Sequence, residues 1–122
     1  MHETSLVRSL LTQVEQIMIQ HEATSVDSVT VEIGPLSGVE GDLVQAAFLQ
    51  LSPTVPGMPQ LVIREIGLQI LCRDCEVESA VAGLTLQCPI CRSPRVQILR
   101  GDEFRLIDVS IQVPVALKGD EQ

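Results

Sequence analysis

Over residues 5–23 the apolar positions fall on one helical face. Leu6, Leu10, Val14 and Ile17 form the stripe, widened by Val7, Leu11 and Met18. Spacing of three and four predicts an amphipathic helix with that stripe against a core. Thr4 or Ser5 is placed to cap its start, and His21 to meet the negative end of its dipole. The period then drops to two. Val29, Val31 and Ile33 alternate with Ser28, Thr30 and Glu32, the pattern of a half-buried strand. Gly34-Pro35 ends it and opens a loop over 34–41. A second helix is expected over 42–51, with Asp42 as cap and Leu43, Ala46, Ala47 and Leu51 as its buried face. Pro53, Pro56, Gly57 and Pro59 break the chain. A strand-like run over 60–71 follows, with Val62, Arg64, Ile66, Leu68 and Ile70 on one face and Gly67 as a candidate bulge. Strands are expected again over 96–99 and 103–113, the last with Ile107, Val109, Ile111 and Val113 on one face. Residues 114–122 read as a loose tail.

The order is helix, strand, helix, strand, a cysteine-bearing segment, strand. Two strands flanking a helix suit a parallel crossover. The second and last strands flank the cysteine segment and are expected to form an antiparallel pair. The predicted fold is α+β: a small mixed three-stranded sheet with two helices, plus an inserted zinc-ribbon-like module. Residues 1–70 and 101–122 would make the α/β domain, and 71–100 the insertion.

Composition sharpens this picture in two places. Hydrophobic residues are 45% of the 122-residue chain, but the only aromatics are Phe48 and Phe104, so the core must be aliphatic. No apolar run approaches the ~20 residues that span a bilayer, and the start lacks the pattern of a secretory signal. A cytoplasmic protein with no membrane partner is expected. The net charge is −8 and unevenly spread. Residues 1–65 carry two arginines against eight acids. Residues 71–100 carry Arg73, Arg92, Arg95 and Arg100 against three acids. A nucleic-acid binder needs a basic footprint, and only the cysteine segment comes near to one.

Candidate chemistry is concentrated in Cys72-Arg-Asp-Cys75 and Cys88-Pro-Ile-Cys91, which hold every cysteine of the chain. Each C-x-x-C puts two sulfurs on one side of a tight turn, and the intervening residues allow a small strand-turn-strand excursion. Four thiolates so spaced suit one tetrahedral Zn²⁺. With all four positions filled the ion would be structural, since a catalytic zinc keeps one open. Two disulfides in a secreted protein are the alternative, and no signal peptide is present to support it. A thioredoxin-type redox pair needs one C-x-x-C at a helix start.

A second candidate is the Met1-His2-Glu3 start. Initiator Met is trimmed only before small residues, so the Met1 amine is expected to persist. That amine, the His2 amide and imidazole nitrogens and the Glu3 amide can form fused chelate rings in one plane, a geometry suited to Ni²⁺ or Cu²⁺. Taken alone, a His at position 2 is more often an ordinary terminal residue. Glu40, in the loop after the first strand, is by default a solvated acid. No phosphate loop, nucleophile set or acid–base pair emerges, so no enzyme activity is expected.

Together these residues resemble the HypA/HybF nickel metallochaperones of [NiFe]-hydrogenase maturation. The resemblance rests on Met1-His2-Glu3 leading into a helix, on Val31-Glu32-Ile33-Gly34 leading to the loop 37–40, on both C-x-x-C turns, and on Gly101-Asp102-Glu103-Phe104-Arg105-Leu106 leading into the last strand. It implies nickel held by the Met1 amine, His2 and the Glu3 backbone, with Glu40 matching an added acidic ligand. It implies a structural zinc on Cys72, Cys75, Cys88 and Cys91. Implied partners are a nickel-handling GTPase, the hydrogenase large subunit and, in some organisms, urease maturation proteins. The chain has no histidine beside its cysteine pairs, so a histidine-driven pH response there is not expected. A monomer or weak homodimer fits. The competing reading is a zinc-ribbon interaction module binding nucleic acid or a transcription complex. It draws on the four nearby arginines and is opposed by the acidity and the lack of stacking aromatics.

Overall fold

The structure, a computed structural model, describes residues 2–114. Helix α1 spans His2–His21 and strand β1 Ser25–Ile33. Helix α2 spans Gly41–Leu51 and runs into a 3-10 turn, Ser52–Thr54. Strands β2 (Gln60–Glu65) and β3 (Leu68–Cys72) follow, then β4 (Glu78–Val81), β5 (Val96–Arg100) and β6 (Phe104–Gln112). The strands make two three-stranded sheets, in the orders β2-β1-β6 and β4-β3-β5. This is the expected architecture of two helices, a mixed sheet and a separate zinc-ribbon-like sheet.

The pairing within the first sheet differs from expectation. β1 lies between β2 and β6, so the second and last strands do not pair with each other. Bonds at the ends of β1 give the directions. Val26 N–H donates to Pro56 O and Ile66 N–H to Ile33 O, so β2 runs with β1. Thr24 N–H donates to Gln112 O and Gly34 N–H to Glu103 O, so β6 runs against it. The most apolar strand takes the centre: Val26, Val29, Val31 and Ile33 are all buried. An aliphatic strand with both edges paired leaves no backbone group to solvate, whereas the more polar β2 and β6 tolerate an edge.

The long run over 60–71 is two strands. It breaks at Ile66-Gly67, and its two halves join different sheets. In the first half Leu61 is buried and Val62 is exposed, the reverse of the expected face. In the second half Leu68 and Ile70 are fully buried, as expected.

The chain divides into two compact units. One contains residues up to Val31, Glu40–Val62 and the chain from Leu106; the other is Glu32–Val39 with Ile63–Arg105. In the first unit α1 presents Val7, Leu10, Leu11 and Val14 to the core. Helix α1 begins at His2, so neither Thr4 nor Ser5 caps it. It ends with Glu22 in the left-handed region (φ 53°), where Ala23 N–H reaches back to Met18 O. The buried face of α2 is Val44, Ala47 and Phe48; Leu43 is 49% exposed, and Ala46 is exposed too. The expected face was therefore rotated by about one residue. Helical spacing around Ala47 fits either side, and the much larger apolar area of Phe48 decides it. The cap is Glu40 rather than Asp42. Beyond Pro114, the expected loose tail lies outside the described residues.

Candidate metal centre

β3 ends in Cys72, and the chain turns back through Cys75 into β4. The Asp74 and Cys75 amides both point at Cys72 Sγ, at 3.4 Å each. The second turn repeats this: Ile90 and Cys91 amides lie 3.4 and 3.5 Å from Cys88 Sγ. The outer bonds match as well. Glu76 N–H donates to Cys72 O and Arg92 N–H to Cys88 O, both at 2.9 Å. Glu76 and Arg92 each adopt a left-handed φ, 62° and 65°. Two copies of one turn thus face each other, each with its first sulfur fixed by two backbone donors.

Cys72 Sγ lies 3.6 Å from Cys91 Sγ, and Cys75 Sγ lies 3.7 Å from Cys88 Sγ. All four sulfurs fall within 4.8 Å of one another. These are not disulfides, whose sulfurs stand about 2.05 Å apart. Four sulfurs at about 2.3 Å from a central ion form a tetrahedron with edges of about 3.8 Å. The cluster fits such an ion. Cys72 and Cys88 are buried, Cys75 is half-buried and Cys91 exposed.

The thiols are electrostatically unlike one another. The Cys91 backbone N–H, with that of Ile90, brings Cys88 down to about 6 against the cost of burial. Cys72 is lowered by the same device, chiefly the Cys75 N–H. Cys75 accepts a backbone bond from Val77, yet burial and the three neighbouring sulfurs push it up to about 12. Cys91 is stabilised as thiolate by the Ser93 N–H, but Cys72 and burial raise it overall. Four thiolates in this space repel one another, and a divalent cation removes that repulsion.

A polar link that the sequence reading missed joins the two turns. Ser93 Oγ donates a very short hydrogen bond to Asp74 Oδ2, and Arg95 Nη1 donates to Asp74 Oδ1 at 2.9 Å. Ser93 is buried, and its Oγ also accepts from Arg95 N–H at 3.0 Å. The available signal was an Asp inside the first C-x-x-C and a Ser two residues past the second.

The Val31-Glu32-Ile33-Gly34 and Gly101–Leu106 motifs also meet. Glu32 Oε1 accepts from Arg100 Nη2 at 2.8 Å and from Arg105 Nε at 3.2 Å. Glu103 accepts from Gly101 N–H at 2.9 Å, which with Arg100 and Arg105 holds its carboxyl below the usual range. Leu36 N–H donates to Gly101 O at 2.7 Å. A Cβ on Gly34 would stand 2.3 Å from the Gly101 carbonyl carbon, so only glycine permits this approach. These motif residues fasten the base of the cysteine-bearing unit.

Of the expected nickel ligands, Met1 and the His2 side chain lie outside the described residues. Glu3 and Glu40, far apart in sequence, are brought together: Glu40 N–H donates to Glu3 Oε2 at 3.3 Å. Glu40 starts α2, where a carboxylate meets the positive end of the dipole. The Glu40 side chain is exposed, and a cleft of about 200 Å³ opens between Glu3 and Thr4 on one side and Leu43 and Ala46 on the other.

Known proteins supply the remaining evidence. Residues 1–111 match the family described as "Hydrogenase/urease nickel incorporation, metallochaperone, hypA". The chain is 40% identical over 114 residues to the hydrogenase maturation factor HypA of Aquifex aeolicus, covering 93% of this chain and 99% of that one. It is 35% identical over 113 residues to HypA of Shewanella baltica, covering 92% and 97%. The solution structure of the Ni metallochaperone HypA from Helicobacter pylori superposes with a TM-score of 0.69 at 27% identity, covering 92% of this chain and 98% of that one. No helix among the described residues is long and apolar enough to cross a membrane. A four-cysteine cluster suited to a metal and these relationships lead to one conclusion: the chain belongs to the HypA family, the nickel metallochaperones that serve hydrogenase and urease maturation.

Proposed function

We propose that this chain carries two metal sites with separate tasks. Cys72, Cys75, Cys88 and Cys91 hold a structural Zn²⁺ that cross-links the two turns. The Met1 amine, His2 and the Glu3 backbone hold Ni²⁺ as cargo, with Glu40 as an added ligand. Residues 1–70 and 101–122 act as the nickel-handling domain and 71–100 as the zinc module. The client is a [NiFe]-hydrogenase large subunit, reached with a nickel-handling GTPase, and urease maturation proteins are further partners. The chain works in the cytoplasm as a monomer or weak homodimer.

The observation that carries the nickel assignment is the Glu3–Glu40 contact. It draws the N-terminal segment toward the one acid of the 34–41 loop in the same compact unit. A site at a chain end, beside an exposed carboxylate, permits stepwise ligand exchange. A partner group can replace Glu40 or the imidazole while the other ligands still hold the ion. Amide nitrogens must lose protons to bind nickel, so affinity falls in acid.

The test is a nickel titration of tag-free, zinc-loaded protein with a native start, beside His2→Ala. One nickel per chain that is lost in His2→Ala, with zinc retained, is the expected result. Equal nickel binding by both proteins would refute the ligand assignment.

A further inference from the structure

Residues 71–100 carry four arginines, and three are committed. Arg73 Nη2 donates to Gln97, Arg95 pairs with Asp74, and Arg100 pairs with Glu32 and Glu103. The fourth, Arg92, is exposed, and its guanidinium has no partner among the described residues. Its backbone, by contrast, is held twice: its N–H donates to Cys88 O, and its carbonyl accepts from Gln87 Nε2 at 3.0 Å. The backbone is fixed and the cation uncommitted, so the guanidinium is available to a ligand from an anchored position.

Arg92 borders a pocket of about 390 Å³. The rest of the lining includes Ala80, Val81 and Ala82 on one side and Cys88 and Pro89 on the other, and no acidic residue. β4 is an edge strand, paired only with β3 among the described residues. Its outer edge therefore offers backbone donors and acceptors to another extended chain. Residues next in sequence to this lining are exposed and apolar: Leu84 is 59% exposed, Leu86 43% and Ile90 63%. Glu78 begins β4 and Glu76 lies in the turn before it, and both repel a second acid, so the preferred place for a carboxylate is the Arg92 end.

We propose that this pocket docks an extended, carboxylate-bearing segment of a partner protein, which adds along the open edge of β4 with its acidic side chain on the Arg92 guanidinium. The guanidinium fork matches a carboxylate in two parallel hydrogen bonds. Nucleic acid is the weaker occupant. Arg92 is the one cation lining this pocket, a small basic footprint, and no aromatic side chain lines it to offer a stacking face. The inference needs the folded cysteine module and is independent of the nickel reading.

The experiment is a ¹⁵N amide titration of the full, zinc-loaded, nickel-free chain with the peptide acetyl-Thr-Val-Glu-Val-Thr-amide. Gln and Lys replace the central Glu in two control peptides. Shifts confined to residues 79–82 and Arg92 are expected, with the Gln peptide about tenfold weaker for loss of the charged pair. Arg92→Glu reverses the preference toward the Lys peptide. Arg92→Gly, which suits the left-handed backbone, keeps the fold and loses the preference for Glu. Equal binding of the Glu and Gln peptides, shifts elsewhere, or none at millimolar peptide would overturn the proposal. So would salt-dependent binding of an RNA oligonucleotide at the same residues.

Discussion

Around Phe48 the chain folds as aliphatic proteins ordinarily do. Val7, Leu10, Val14, Val26, Val29, Val31 and Val44 are all buried, as is that single ring. Around Cys88 the picture is different. β4 and β5 have no fully buried residue, and the buried apolar side chains of β3 reduce to Leu68 and Ile70 beside Cys72. The second region makes up the deficit with matched backbone bonds to two sulfurs, the Asp74–Ser93–Arg95 link and the ion pairs of Glu32. A sheet this thinly cored is held by a cross-link, and the cysteine cluster supplies the place for one. The lesson is that one short chain can put burial and ligation in different units, so each can be broken separately.

The largest effect should come from Cys88→Ser. Structural zinc contributes roughly 10–16 kcal/mol of binding free energy in small metal-folded peptides, and one lost thiolate forfeits much of it. Metal analysis should show zinc lost, and near-complete amide exchange should appear over 68–100. The signals of Val29, Val44 and Phe48 should keep their dispersion. Acid should mimic the mutation. In the metal-free protein Cys88 has a folded-state pKa of about 6, below the ordinary thiol value, so its thiolate contribution is present at higher pH and is lost as pH falls through about 6. Cys75 in the metal-free protein has the opposite sign. Its thiol form is favoured below the ordinary thiol range, and that contribution disappears as pH rises through about 12. Metal uptake near neutral pH should therefore release protons, from Cys75 and Cys91 foremost, measurable as a buffer-dependent heat.

Phe48→Ala breaks the other side of the comparison. Loss of a fully buried ring costs about 3–5 kcal/mol, and denaturant unfolding should show it while zinc content stays unchanged. Gly34→Ala is smaller, about 1–3 kcal/mol, because its Cβ must displace the Gly101 carbonyl. Its damage should fall on the cysteine-bearing unit although Gly34 is far from the cysteines in sequence. Loss of exchange protection near Leu36 and Gly101 would report it.

What could be read in advance follows from how local each signal is. A C-x-x-C turn is closed by its own backbone, so the cluster was visible in two four-residue stretches of sequence. The 3.6 and 2.0 periods located α1, β1 and β6 for the same reason. The α2 face needed knowledge of which large side chain had a cavity to fill, and Leu43 against Phe48 is settled only by packing. The 60–71 run looks continuous because both halves alternate. Its split at Ile66-Gly67 is imposed by the different partners of β2 and β3. The Asp74–Ser93 and Glu3–Glu40 contacts join distant positions, so no local pattern announces them.

Hydrogen–deuterium exchange on the full chain, with zinc bound and after removal by a chelator, tests the central claim most directly. Loss of protection over 68–100, with residues 7–14, 26–31 and 44–48 still protected, is the predicted result. Unchanged protection throughout, or its uniform loss from both regions, would contradict the separation of a ligated unit from a buried one.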